Sequence, residues 1–331
     1  MSISILINNY NYAQYLGQAI ESALTQTYSD VKVVVVDDGS TDESGSVIRS
    51  YGDRICAVFK ANGGQASAIN VGFVHCPGDI IMLLDSDDYL HPEAAAKIAA
   101  VWKPDTGALH HRLRTVDGAG KELGYLPTKP GMLDSGDIVP LLHRQGGRYT
   151  WISTSGRAYS REVLAAALPI PEEFRICADN YLAMVIPYLT PIAVLDEPVA
   201  YYRIHSSNSY VTATQRRRDL TRAQMLVRLF YRDLTWKVAL NKATERNLGV
   251  PPSTLFRSSN ELFDHLLIAV SGPARIGLKA RIKHTWDVLR SLSAERFGSL
   301  AVKIRMTTLS LVVCLAPRPV LVFLYPGLFK T

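Results

Sequence analysis

Four short runs of aliphatic and β-branched residues, at positions 2–7, 31–36, 55–59 and 80–84, divide the first hundred residues, and between them apolar residues recur at helical spacing. A strand that is apolar at nearly every position is covered on both faces, which is the condition of a parallel sheet. Asn11 reads as the N-cap of the first helix, with Leu16, Ile20, Ala23 and Leu24 along one side. A second helix is expected near Thr41 and Asp42, a third after Gly63 and Gly64, and a fourth after Pro92, where proline suits a first helical turn. Strand and helix in alternation require right-handed crossovers. The expected class is α/β, a mainly parallel sheet flanked by helices.

From about Gly107 the pattern loosens. Asp117, Gly118, Ala119 and Gly120 mark a hairpin turn, 152–159 and 192–204 read as strands, and 179–187 as a helix between them. After Tyr210 the chain turns helical and arginine-rich, with Arg216, Arg217 and Arg218 leading into a helix that carries Leu220, Ala223, Val227, Phe230 and Leu234. The charge divides at the same place. Residues 1–211 hold 16 Lys and Arg against 23 Asp and Glu, whereas residues 212–331 hold 20 against 7. A basic segment on an acidic body implies an anionic partner, a membrane surface before a nucleic acid, since no nucleic-acid module is legible. The apolar tail runs, 309–316 and 320–325, are separated by Pro317-Arg318-Pro319. Neither reaches the roughly 20 residues of a spanning helix, so two readings stand side by side: an interfacial or re-entrant segment, with Arg275, Lys279, Arg281, Lys283, Arg296, Lys303 and Arg305 meeting anionic lipid, and a tail that packs back onto the soluble core. Cys56, Cys76, Cys177 and Cys314 form no C-x-x-C pair and read as free thiols. The chain opens on a strand-like run without a leader pattern, so a cytoplasmic protein, peripheral at the inner face of the cell membrane, is expected.

Three acidic clusters fall where ligands bind in open α/β sheets, at the carboxyl ends of strands or near them. Asp37 and Asp38 open the stretch Asp37-Asp38-Gly39-Ser40-Thr41-Asp42; this is a good turn, and Asp38 is also placed to accept the imide N–H of a pyrimidine. Asp85, Ser86, Asp87 and Asp88 follow the fourth run. Carboxylates crowded there repel one another unless a cation is present, and their hard oxygens suit Mg²⁺ or Mn²⁺. Asp179 stands at a helix start, where an N-cap is the plain alternative.

Read in order, Asn8-Asn9-Tyr10-Asn11, Gln26-Thr27-Tyr28, Val36 to Asp42, Asn62-Gly63-Gly64, Ala68-Ile69-Asn70-Val71-Gly72, Gly78-Asp79, Leu84 to Asp88, Gly156, Asp179 and Tyr202-Arg203-Ile204-His205 resemble the family 2 glycosyltransferases over about the first 210 residues. The resemblance implies a GT-A type, Rossmann-like catalytic domain at 1–210, with a nucleotide-binding half at 1–105 and an acceptor half at 106–210. A helical, basic C-terminal extension follows at 211–331. It further implies donor contacts from Asn8, Tyr10, Asp38, Asn62, Gly63, Asn70, Asp85 and Gly156, with Asp88 in support. Asp87 and His205 would be ligands of a divalent cation, Mn²⁺ or Mg²⁺.

The expected reaction is displacement at an anomeric carbon of a nucleotide diphosphate sugar, UDP-linked first, by a hydroxyl of a glycan or lipid-linked glycan in cell-surface polysaccharide synthesis. Asp179 is the expected base, and a single base with no assigned carboxylate nucleophile implies inversion. A sugar nucleotidyltransferase would place a glycine-rich basic loop after the first strand, and a nicotinamide enzyme a G-x-G-x-x-G; neither is present. A noncatalytic nucleotide-sugar or glycan binder of the same fold is the remaining alternative, kept open by Ala178, which stands where such enzymes often carry a Glu.

Overall fold

The computed structural model describes residues 1–144, 149–205, 277–294 and 300–316, with positions 235, 241, 266, 320, 321 and 324. The chain forms two units, Met1–Ile138 with Tyr149–Tyr210, and Val139–Arg148 with Val211–Thr331.

The first unit is built on β1 (Ile3–Asn9), α1 (Ala13–Leu24), β2 (Val31–Asp37), α2 (Ser44–Ser50), β3 (Cys56–Phe59), α3 (Gln65–Val74), β4 (Ile80–Asp85), β5 (Tyr89–Leu90), α4 (Ala94–Val101), β6 (Ala108–Asp117) and β7 (Glu122–Leu126). The short helix α5 (Val139–Arg144) belongs to the second unit. The first unit resumes with β8 (Arg157–Ser160), α6 (Arg161–Ala167), α7 (Ala178–Val185) and β9 (Ile192–Ile204). One sheet runs in the order β3-β2-β1-β4-β8-β6-β9-β5, with β7 paired to β6. The first four of these strands are parallel, β8 is antiparallel to both its neighbours, and β6 and β9 run parallel.

The side chains of β1 explain its unbroken apolarity. Ile3, Ile5 and Ile7 join Leu16, Ile20, Val33, Val35 and Ile48 in one core. Leu6 faces the other way with Val36, and the two lie so close to α3 that a Cβ on Gly72 would stand 2.4 Å from Leu6 Cδ1 and 2.7 Å from Val36 Cγ2. Strict alternation sends successive residues into two cores, each fully buried aliphatic contributing about 1.5–3 kcal/mol.

Two strand expectations need correction. β3 is an edge strand whose Cys56 and Phe59 are exposed, so its apolar run does not mark a central position. The run 152–159 is a strand only from Arg157. Residues Thr154–Gly156 form a 3-10 turn, because the buried Arg157 guanidinium takes the Ile152 carbonyl (Nε to O, 2.6 Å) and folds the segment back on itself. Asn11 is not the cap of α1 either. It sits at φ 57°, Tyr12 occupies the cap position, and Asp42 Oδ2 accepts from Ala13 N across the next loop at 2.9 Å. Asn11 Oδ1 instead accepts from Thr41 N at 2.7 Å, binding the loops after β1 and β2 together.

In the second unit α8 (Leu278–Ala294) packs with α9 (Leu300–Leu315), and Arg281 Nη1 donates to the Cys314 and Ala316 carbonyls at 3.3 Å each. No helix among the described residues is long and apolar enough to cross a membrane. The helix expected from Arg216 to Leu234 lies outside the described residues, as do Arg275 and Arg296. All four cysteines are free.

Candidate active site

The register of the central strands sets up the site. Asn9 on β1 pairs with Asp37 on β2, and Asn8 pairs with Asp85 on β4, so the end of β1 offers an amide to an acid on each side. Asn9 Nδ2 donates to Asp37 Oδ1 at 2.9 Å and Asn8 Nδ2 to Asp85 Oδ1 at 2.8 Å. Asp38, next along, is buried and accepts from Gly63 N (2.9 Å), Gly64 N (2.6 Å) and Lys60 Nζ. It organises the loop ahead of α3 and keeps only part of its acceptor capacity for a ligand.

At the end of β4, Asp85 also accepts from Gln65 Nε2 at 2.9 Å. Burial, then the neighbouring Asp87 charge, push the Asp85 carboxyl up to about 7. Asp88 lies beneath, receiving Ser155 Oγ at 2.5 Å and Arg203 N at 2.8 Å. Burial and then the charges of Asp87 and Asp85 hold its carboxyl well above the usual range. Asp87 Oδ2 meets His205 Nε2 at 3.1 Å. The histidine ring stands edge-on to Tyr12 and beside Tyr15. Arg203 fixes this corner. Its Nε donates to Asp87 O (2.8 Å), Nη1 to Gly118 O (3.1 Å) and Nη2 to Gln18 Oε1 (2.6 Å), while its guanidinium lies over Tyr15.

The opposite wall comes from the second half of the unit. Gln65, whose Nε2 holds Asp85, accepts at Oε1 from Ala178 N (2.9 Å), and Gln65 N donates to Arg175 O (2.7 Å). The segment before α7 is thereby strapped to the start of α3, with Cys177 left-handed at φ 60° as it turns into the helix. Asp179 follows in the first turn. Burial raises its carboxyl pKa, and the Arg157 charge and the Asn180 N–H oppose that rise. Arg157 is fully buried; Nη1 donates to Asp179 O at 2.8 Å, and the guanidinium lies 4.8 Å from the Trp151 ring centre.

These walls enclose a cleft of about 420 Å³ that brings together Asn8, Tyr10, Asp38, Asn62, Asp85, Asp87 and Asp179. Gly63 acts through its N–H on Asp38, Asp88 lies beneath the floor, and His205 reaches Asp87 from the side. Besides Gly63 and Asp88, two further expected donor contacts lie outside the lining. Asn70 is engaged with Ile170, its Nδ2 donating to Ile170 O and its Oδ1 accepting from Ile170 N, both at 2.8 Å. Gly156 is packed where a Cβ would stand 2.5 Å from Ile152 Cγ1 and 3.0 Å from His111 O, so the wall itself requires a glycine there. Trp151 and Arg175 line the cleft without having been expected there; Gln65, inside the stretch 62–70 expected to line a nucleotide pocket, and Tyr202, from the 202–205 motif, line it as well.

The residues fit a divalent cation. Asp87 and His205 bring an oxygen and a nitrogen to one place, a donor pair compatible with Mn²⁺ or Mg²⁺, beside the carboxyls of Asp85 and Asp88, whose pKa values are raised first by burial and then by the neighbouring acids, a charge a cation would offset. Among the described residues no three His, Cys, Asp or Glu side chains form a ready-made cage. The protein would supply two ligands, leaving positions for other oxygens.

The chain is 40% identical over 220 residues to an uncharacterized glycosyltransferase of Nostoc sp., a match covering 64% of this chain and 68% of that one. Residues 4–137 match Glycosyl transferase family 2. The chain belongs to the family 2 glycosyltransferases. This glycosyltransferase also shares a 45% identical stretch of 95 residues with the chondroitin synthase of Pasteurella multocida, 28% of this chain but only 10% of the synthase. Among solved structures, S. aureus TarS 1–349 in complex with UDP superposes with a TM-score of 0.57 at 17% identity, covering 95% of this chain and 87% of that one. The family 2 chain thus has the GT-A fold, with its acidic cluster at the sheet edge where that fold opens.

Proposed function

We propose that the cleft binds a nucleotide diphosphate sugar, UDP-linked, and transfers the sugar with inversion to a hydroxyl of a glycan or lipid-linked glycan in cell-surface polysaccharide synthesis. The observation that carries the reading is the meeting of Asp85 at the end of β4 and Asp87 in the turn just after it with Asp179 from α7 in one cleft. Its size falls in the range of small-molecule sites. The UDP bound in TarS, which has the same fold, and the polysaccharide made by the chondroitin synthase support the donor and product class.

Asp87 and His205 would hold Mn²⁺ or Mg²⁺, which when bound offsets negative charge growing on the leaving diphosphate. Asn8 and Gln65 aim the Asp85 carboxyl into the cleft, towards the ribose and phosphates. Asp179 takes the proton from the acceptor hydroxyl as that oxygen attacks the anomeric carbon. Its raised pKa brings it closer to the pH at which it must work, which strengthens it as a base. No further carboxylate is assigned as nucleophile, so the displacement is single and the configuration inverts. The enzyme is cytoplasmic in this reading, attached at the membrane through its basic C-terminal unit.

A melting-temperature panel of UDP, GDP, CDP and ADP with and without Mn²⁺ tests the reading, since a ligand selective for the native state raises stability. UDP with Mn²⁺ should give the largest rise, and Asp87→Asn should remove the Mn²⁺ dependence. A wild-type response to UDP that ignores Mn²⁺ sinks the cation assignment, and a product of retained anomeric configuration sinks the mechanism.

A further inference from the structure

Fourteen large apolar side chains are exposed among the described residues, and six of them fall between Ile282 and Val320. They are not scattered. On α8, Thr285 and Val288 are buried and Arg281 is engaged with the end of α9, which defines an inner face. Lys279, Ile282, Lys283 and Trp286, spaced three, one and three residues apart, are all exposed and form a single outward stripe about 10 Å long. Ile282 is 52% exposed and Trp286 67%. α9 repeats the arrangement. Ser310, Val313 and Cys314 are buried, while Ile304, Thr308, Leu311 and Leu315 are exposed at spacings of four, three and four.

The composition of the α8 stripe selects its occupant. An indole and a branched aliphatic alternate with two ammonium groups, and the stripe holds no carboxylate. The buried centre of a protein interface is depleted of lysine. At a lipid headgroup layer the opposite holds: tryptophan settles at the boundary, and lysine lays its stem along apolar surface while its charge meets phosphate. The excess of 20 Lys and Arg over 7 Asp and Glu in residues 212–331 gives the same sign of complementarity.

We propose that the outward stripe of α8 is a docking surface for an anionic lipid bilayer, with Ile282 and Trp286 entering the headgroup layer between Lys279 and Lys283. This names the surface for the membrane attachment proposed above and rests on that reading; it is independent of the chemistry of the cleft.

The test is co-sedimentation of the full chain with vesicles of phosphatidylcholine alone or mixed equally with phosphatidylglycerol. The wild type should partition at least about tenfold more strongly onto the anionic vesicles, and 0.5 M salt should weaken it. Lys279→Gln with Lys283→Gln should lower partitioning about thirtyfold, at roughly a factor of five per lysine. Ile282→Ser with Trp286→Ser should lower it about tenfold or more. All four positions are exposed, so melting temperatures should match the wild type. Should a double variant melt lower, Trp286→Phe supplies a second readout: brominated lipid should quench wild-type tryptophan emission, and the Phe variant should keep its partitioning but lose most of that quenching. Wild-type partitioning in both double variants would overturn this face while leaving attachment elsewhere on the unit intact. Absence of wild-type partitioning onto either vesicle would overturn the attachment itself, and a serine variant that changes only the oligomeric state would assign the stripe to a second copy of the chain.

Discussion

The two halves of the catalytic unit bring acids to one cleft by different means. In the first half, parallel neighbours end together, so residues alike in position along β1, β2 and β4 become neighbours in space: Asn9 beside Asp37, Asn8 beside Asp85. In the second half no strand end does this. Asp179 sits on a helix whose entry is tied back to Gln65 by one hydrogen bond and to Arg157 by another. The first arrangement is a property of the sheet, and the second is a property of a few side chains. The halves should therefore fail differently when single residues are changed.

The largest effect is expected at Asp179. Asp179→Asn keeps the shape of the wall and removes the proton acceptor, so kcat should fall about 10³-fold with UDP affinity unchanged. Isothermal titration with UDP and Mn²⁺, run beside a product assay, separates the two. Full activity in this variant would leave the second half as a binding wall only, and inactivity of the wild type towards every UDP-sugar would favour the noncatalytic binder.

A subtler separation uses pH. Asp179 must be ionised to accept a proton, and burial raises its pKa, so the rate should fall as pH drops through a value above the ordinary carboxylate range. The Arg157 charge opposes that rise. Arg157→Met should therefore carry the acid limb of kcat/KM to higher pH, because the protonated carboxyl is favoured further. Arg157→Lys keeps the charge but not the forked contacts to Ile152 O and Asp179 O, so its limb should stay near the wild-type position while kcat drops roughly tenfold. An unmoved limb in the Met variant, with a normal melting temperature in the Lys variant, would show that Arg157 only supports the fold.

This division also accounts for what could be read before any coordinates. The β-branched runs located β1, β2 and β4, and acids directly after such runs had nowhere to go but the sheet edge. Trp151 and Arg157 escaped because their places depend on β8 inserting antiparallel between β4 and β6, pairings that span 76–80 and 47–51 residues, and Arg175 because it is set by a hydrogen bond from Gln65 N, 110 residues earlier. One signal was available: an arginine in the middle of the run 152–159, where a plain buried strand has no partner for a charge. Asn70 stands apart from the lining for a local reason. A helix following the nucleotide loop turns only its first residues to the cleft, and Asn70 lies beyond that turn, facing Ile170.

Stability should divide along the same line. Gly64 has φ 90°, and a Cβ there would stand 2.5 Å from Arg175 Cα, in the backbone of the strap itself. Gly64→Ala combines left-handed strain with a contact that cannot swing aside, and about 3 kcal/mol of lost stability is expected by chemical denaturation, with weakened UDP binding as the strap lifts. Gly156→Ala crowds both γ carbons of Ile152 and comes within 3.0 Å of His111 O, but it carries no positive-φ strain and no contact with the strap, so it should cost less and leave UDP affinity alone.

The smallest expected effect is the sharpest check on the role of Asn70. Its amide closes a pair of hydrogen bonds with the Ile170 backbone, one in each direction, joining α3 to the chain just after α6. Asn70→Ala strips a donor and an acceptor from that backbone at a half-buried position, worth about 1–2 kcal/mol once solvent supplies part of the loss. The melting temperature should fall while the affinity for UDP with Mn²⁺ stays at the wild-type value, because no atom of the cleft depends on this pair. An affinity loss larger than the stability loss would return Asn70 to the donor site, and would mean that the start of α3 turns further into the cleft during binding than the hydrogen bonds to Ile170 allow.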